Sequence, residues 1–215
     1  CEDVVVRNLR QISSCMSSDG IDICGSKKVL IEECCLRNDD DNIALKSVYF
    51  PDLHDWRGDI SDVVVRRCMF LNGLPGNAME IGYELSTNRV HNIVFEDIDV
   101  LYAHGEGAVF SIHNGDRAVV EDVVWRNIRI EHYWDKLVDF RIVFSRYNRD
   151  SERGAIRNIR LEDIHISQSY FNPGCSVSLI GGCGPDHMVE NIHFENVCFN
   201  DQKITNGDQL ELFTR

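Results

Sequence analysis

Seven segments of the chain repeat one pattern, in which apolar residues surround a variable middle position, two mostly polar residues follow, and a further apolar residue closes. They are DVVVRNL, KVLIEEC, DVVVRRC, NIVFEDI, DVVWRNI, NIRLEDI and NIHFENV, with first apolar residues Val4, Val29, Val63, Ile93, Val123, Ile159 and Ile192. The steps between these anchors are 25, 34, 30, 30, 36 and 33 residues. Such steps suit solenoid coils that differ only in loop length. A second strand signal follows each first one: IDI at Ile21, IAL at Ile43, MEI at Met79, FSI at Phe110, FRI at Phe140, VSL at Val177 and LEL at Leu210.

A strand period of two sends the flanking apolar residues inward and predicts Asp22, Ala44, Glu80, Ser111, Arg141, Ser178 and Glu211 on one outer face. Glu80, Ser111 and Arg141 are therefore expected to be more exposed than Met79, Phe110 and Phe140, and Trp125 is expected in the core. Val, Ile and Phe dominate, Gly, Asn and Asp mark the corners, and no sustained period of 3.6 occurs, which favours strands over a helical solenoid. The predicted fold is all-β: a right-handed parallel β-helix of about seven coils, forming a single domain over 1–215. The chain opens at Cys1 directly on a strand with no N-terminal cap, so this reading expects upstream coils or a partner over the open end. The stretch after Asn200 completes the last coil.

Hydrophobic residues make up 43% and charged residues 27% of the chain, and no apolar run approaches the length of a membrane span. A formal net charge of −13 argues against a nucleic-acid partner and favours a neutral polymer over a polyanion. Among nine cysteines, Cys34 and Cys68 fall at apolar positions of the repeat and read as buried thiols, whereas Cys175 and Cys183 flank a short glycine-containing loop and are the better disulfide candidates. No CxxC pair has zinc spacing, and neither a metal nor a cofactor is expected.

Candidate chemistry concentrates between Ser17 and Ser47. Asp19 lies 21 and 22 residues before Asp40 and Asp41, a gap that one coil can fill. One turn of chain would make these carboxylates neighbours on adjacent parallel strands, about 4.8 Å apart at the backbone. Like charges at that range push at least one pKa upward, which is a way to hold a protonated acid beside an ionised base, as glycoside hydrolysis requires. A lone Asp here would read as a coil-corner turn residue.

The D-G-I-D-I and D-D-x-I-A-L-x-S segments and their spacing resemble the polygalacturonase family of glycoside hydrolases and its β-helical relatives, the dextranases and α-1,3-glucanases. The resemblance covers about thirty residues. It implies an inverting hydrolase with Asp40 as general acid and Asp19 and Asp41 activating the attacking water. Asp39 stands where polygalacturonases usually have Gly or Gln and receives no catalytic role. Where that family places G-H-G this chain reads Gly76, Asn77, Ala78, and where it places R-I-K this chain reads Ser111, Ile112, His113. The uronate-gripping cation pair is thus missing, which again points to a neutral sugar, although Arg141 could still supply a positive charge.

Expected substrate-binding residues are Lys46, Trp56, Asn77, Glu80, Glu84, His113 and Arg141: polar groups on coils stacked after the aspartates, plus one aromatic wall in the longest early insertion. Lys46 could instead pair with an aspartate. The competing readings are a calcium-dependent polysaccharide lyase, which would need an Arg or Lys base and an anionic substrate, and a non-catalytic carbohydrate-binding β-helix. A polysaccharide or oligosaccharide partner implies a secreted or periplasmic setting.

Overall fold

A computed structural model describes residues 1–50, 54–168 and 177–214. Within them the chain is all-β, with one short 3-10 turn at Gly207–Leu210. Seven strands, Glu2–Arg7, Lys27–Glu32, Ile60–Arg66, Arg89–Ala103, Val119–Ile130, Ala155–Ile166 and Val189–Phe199, lie side by side in chain order and run parallel. The seven predicted anchors are neighbours in register at every step, from Val4 against Val29 to Ile159 against Ile192. A short row, Arg10–Ile12, Cys35–Asn38 and Met69–Asn72, stacks beside this sheet and joins the far end of Arg89–Ala103. The second sheet stacks Ile21–Cys24, Ile43–Ser47, Met79–Leu85, Ala108–Asn114, Lys136–Ile142, Ser178–Gly181 and Leu212–Thr214, again parallel and in chain order. The architecture is that of a β-helix-like solenoid.

Two columns of non-glycine residues with positive φ bend the first sheet. Asp3, Lys28, Asp62, Asn92, Asp122, Asn158 and Asn191 form one, each just before an anchor. Asn8, Glu33, Arg67, Asp97, Asn127, Asp163 and Asn196 form the other. Asn and Asp tolerate this left-handed region better than most residues, and their short side chains bond between coils. Asn92 Nδ2 donates to Asp62 Oδ1 at 2.5 Å, Asn127 to Asp97 at 2.5 Å and Asn196 to Asp163 at 2.6 Å.

The apolar residues between the sheets form one continuous core. Trp125 is fully buried, as expected, and stacks between Phe95 and Phe140 with centroids 5.6 and 5.5 Å away. Cys34 and Cys68 are buried free thiols. Cys175 lies outside the described residues.

The second column departs from expectation in its last three coils. Phe110 pairs with Val138 rather than Phe140, so the outward residue in register with Ser111 is Asp139, and Arg141 sits one outward position further along. Ser178, expected outward, is 1% exposed and Val177 is 38% exposed, because the Ser178 hydroxyl turns in to accept from the Val138 amide at 3.3 Å. The last strand begins at Leu212, while Leu210 ends the 3-10 turn and Glu211 caps it in a left-handed conformation. Glu80 and Ser111 are as fully buried as Met79 and Phe110, contrary to the predicted contrast, and only Arg141 is more exposed than its inward neighbour. Glu80 lies against His113, and the Tyr83 ring stacks on that imidazole, so an outer face becomes an interior one.

Candidate active site

Asp19, Asp40 and Asp41 come together where successive coils enter the second sheet. Each presents a carboxylate oxygen within 4.8 Å of the other two, and no other group of three His, Cys, Asp or Glu among the described residues is close enough to share an ion. The coil stacking that the 22-residue gap implied is present: Gly20 N donates to Asp41 O at 2.8 Å, and Ile21 pairs with Ile43. Gly76 of the next coil lies flat on the Asp40–Asp41 peptide, and a Cβ there would fall 2.1 Å from Asp40 C and 2.4 Å from Asp41 N. An asparagine cluster pins the corner from below. Asn72 Nδ2 donates to Asp40 O at 2.7 Å, and Asn42 Nδ2 donates to Asn38 Oδ1 at 3.0 Å.

Each aspartate has a distinct environment. Asp19 Oδ2 accepts from Lys46 Nζ at 2.6 Å and its Oδ1 from Asp41 N at 3.2 Å. Asp41 is 7% exposed, and its Oδ1 accepts from both Asn77 N and Asn77 Nδ2, at 2.7 and 2.9 Å. Asp40, half-buried, accepts from Asp41 N at 3.1 Å. Two carboxylates 4.8 Å apart repel by roughly 3–4 kcal/mol at an effective dielectric of about 20. Burial first, then the charge of Asp19, raises the pKa of Asp40. Burial, then the charge of Glu80, raises that of Asp41 well above the carboxylate range. Burial would discharge Lys46, but Asp22 and Asp19 outweigh it and raise its pKa. Burial and mutual repulsion thus favour the protonated form of Asp40 and Asp41, while Lys46 stands as a cation beside Asp19.

The triad opens into a groove of about 460 Å³, whose lining includes Lys46, Gly76, Asn77, Tyr83, Glu84, His113, Asp139, Arg141 and Tyr147. The sequence-predicted binding residues divide in three. Lys46, Glu84 and Arg141 line the groove as partly exposed groups, and burial raises the Glu84 pKa. Asn77, Glu80 and His113 serve as supports. The Asn77 side chain is taken up by Asp41 and by the Ala108 amide, which donates to its Oδ1 at 2.8 Å. Glu80 has no exposed surface, and its two oxygens lie 3.0 Å from His113 Nδ1.

His113 Nε2 is 3.1 Å from Asp139 Oδ2, a charge contact off the hydrogen-bond line, and Arg141 Nε and Nη2 donate to Asp139 at 2.5 and 2.7 Å. Burial opposes the imidazolium, yet the Glu80 charge and the Asp139 contact raise its pKa to about 10. Trp56 does not line the groove; it is 43% exposed and packs edge-on to Phe50 at 6.0 Å, in the loop beside Gly25. Asp39 faces away and pairs with Arg37 at 2.5 Å.

Sequence reasoning missed Asp139, Tyr83 and Tyr147. Asp139 was findable, since it stands in the Glu80–Ser111 column once the strand is anchored at Val138. Tyr83 stacks on His113 at 4.5 Å with rings 4° apart and touches Tyr147 at 5.6 Å, a contact between a strand and a turn distant in the chain that no local pattern signals. Comparison with protein-family models and with curated proteins finds no match to this chain.

Proposed function

We propose that this chain is a glycoside hydrolase built on a right-handed parallel β-helix, acting on a neutral polysaccharide or oligosaccharide outside the cytoplasm. The observation that carries the reading is the carboxylate triad on adjacent coils, facing a groove. Asp40, the most accessible of the pair with raised pKa, is the general acid. Asp19 and Asp41 hold the attacking water.

The oxygens are closer than the roughly 6.5–9.5 Å usual between the acid and base carboxyls of inverting enzymes, and nearer the about 5 Å of retaining ones. Retention would need one aspartate to reach the anomeric carbon. Asp41 is 7% exposed and tied to Asn77, and Asp19 is tied to Lys46. A water can reach between two such groups more easily than a sugar carbon can, which favours inversion. The groove's Lys46 and Arg141 are ion-paired to Asp19 and Asp139 with their pKa values raised, so neither is the free base a lyase needs, and the Lys46 charge already balances Asp19 where a calcium ion would.

The test is reducing-sugar release from dextran, α-1,3-glucan and polygalacturonate, with the product anomer read by NMR. Hydrolysis lost in Asp40→Asn and insensitive to a calcium chelator is expected. An unsaturated product would overturn the hydrolase reading, and a retained anomer the assignment of water as nucleophile.

A further inference from the structure

The outer face of the second sheet changes character along the solenoid axis. Ser111, Asp139, Leu179 and Phe213 occupy one outward column in register, so polar and charged positions give way to apolar ones in the last two coils. Around them lies a second cleft of about 970 Å³, larger than the triad groove, in which Arg141 is the sole charged side chain among the described residues. Arg141 lines both cavities, so they adjoin at that residue. Phe144 and Phe213, at 71% and 62%, are the most exposed aromatic side chains among the described residues, and both lie in this cleft. The Arg153 guanidinium lies 4.5 Å over the Phe144 ring and braces it. Gly181, the register partner of Arg141, leaves the floor beside that cation bare.

We infer that this cleft is a distal subsite that takes hexose rings of the same glycan chain, with Phe144, Phe213 and Leu179 meeting the apolar ring faces and Arg141 the hydroxyls at the junction. This rests on the hydrolase reading. Adjacency at Arg141 and a largely apolar lining with a single charge fit a sugar chain, whose rings carry apolar faces and a polar rim. The last coil lies five coil steps beyond Asp41, about 24 Å at the coil spacing, so only a chain of several sugars spans both parts.

The test is kcat/KM on short and long oligosaccharides of whichever of dextran, α-1,3-glucan or polygalacturonate the parent cleaves, for the parent, Phe144→Ala and Phe213→Ala. Affinity electrophoresis of Asp40→Asn, alone and combined with each Phe variant, through gels of the same three polymers gives a readout without turnover. A long-to-short kcat/KM ratio that falls roughly tenfold, with lost retardation in the gel, is expected. A parent that hydrolyses a glycan while both Phe variants keep its ratio and retardation overturns the distal subsite alone. A protein that neither cleaves nor binds any of the three overturns the hydrolase reading and the subsite with it. A dimer in sedimentation that Phe144→Ala or Phe213→Ala dissolves assigns the face to a second copy and also overturns the subsite.

Discussion

Replacing His113 by Gln tests the buried charge network beneath the groove. His113 and its partners Glu80 and Asp139 are at most 2% exposed, so the imidazolium is the counter-ion of two almost fully buried carboxylates. Its pKa rises from 6.5 to about 10 on folding; at about 1.4 kcal/mol for each tenfold in proton affinity, this corresponds to roughly 5 kcal/mol. Leaving a buried charge uncompensated costs about 3–5 kcal/mol by an independent route, so His113→Gln should lower the unfolding free energy by about 3–5 kcal/mol.

The pH dependence follows from the direction of the shift. Because folding raises this proton affinity, the stabilisation is complete below pH 6.5 and is lost as pH rises through about 10. Urea unfolding of parent and variant should show their gap widest below pH 6.5 and closing towards pH 10. Adding Glu80→Gln to the variant should restore part of the loss by removing the stranded charge. NMR of the parent imidazole should find it protonated throughout the neutral range. A ring titrating near pH 6.5, or a gap under about 1 kcal/mol, would refute the reasoning.

Other substitutions test other links. Asp40→Asn and Asp41→Asn should each cut turnover at least 100-fold with the fold retained, since an amide keeps the turn contacts, whereas Asp39→Asn should change it little; activity assays with circular dichroism decide. Activity should fall at high pH as Asp40 loses its proton and at low pH as the base gains one, giving a bell-shaped profile. Lys46→Met should cut turnover in the same assay, since Asp19 then loses the counter-ion that donates to its Oδ2 at 2.6 Å. Gly76→Ala should reduce kcat, because its Cβ would displace the Asp40–Asp41 peptide. Trp125→Ala should cost about 3–5 kcal/mol in unfolding free energy, as its core site between Phe95 and Phe140 is closely packed.

The first sheet was legible because its anchors are Val or Ile in every coil, and six register steps follow from apolar alternation alone. The triad was legible for the same reason, as its spacing is locked to that repeat. The second sheet was less so. DKLVDFRIVF offers Val138 and Phe140 as equally apolar inward anchors, and in VSL the polar Ser178 is the buried residue because a main-chain amide needs its oxygen. The burial of Glu80 escaped detection because His113 and Tyr83 cover it, and the period of two registers only the alternation of faces. The positive-φ columns left a trace, the Asp or Asn before each later anchor, whose meaning emerges only from the backbone geometry.

Those columns constrain how the chain can change. Read along the axis, one runs Asp3, Lys28, Asp62, Asn92, Asp122, Asn158, Asn191, and the other Asn8, Glu33, Arg67, Asp97, Asn127, Asp163, Asn196. In neither do two acids stand next to each other: between any two lies an amide or a cation. A coil is therefore not an interchangeable module. Excising residues 123–158 would keep the hydrophobic repeat intact yet set Asp97 directly against Asp163, whereas excising 93–122 would leave both columns free of such a clash. Which coil can be deleted thus depends on the charges at the bends as well as on the core.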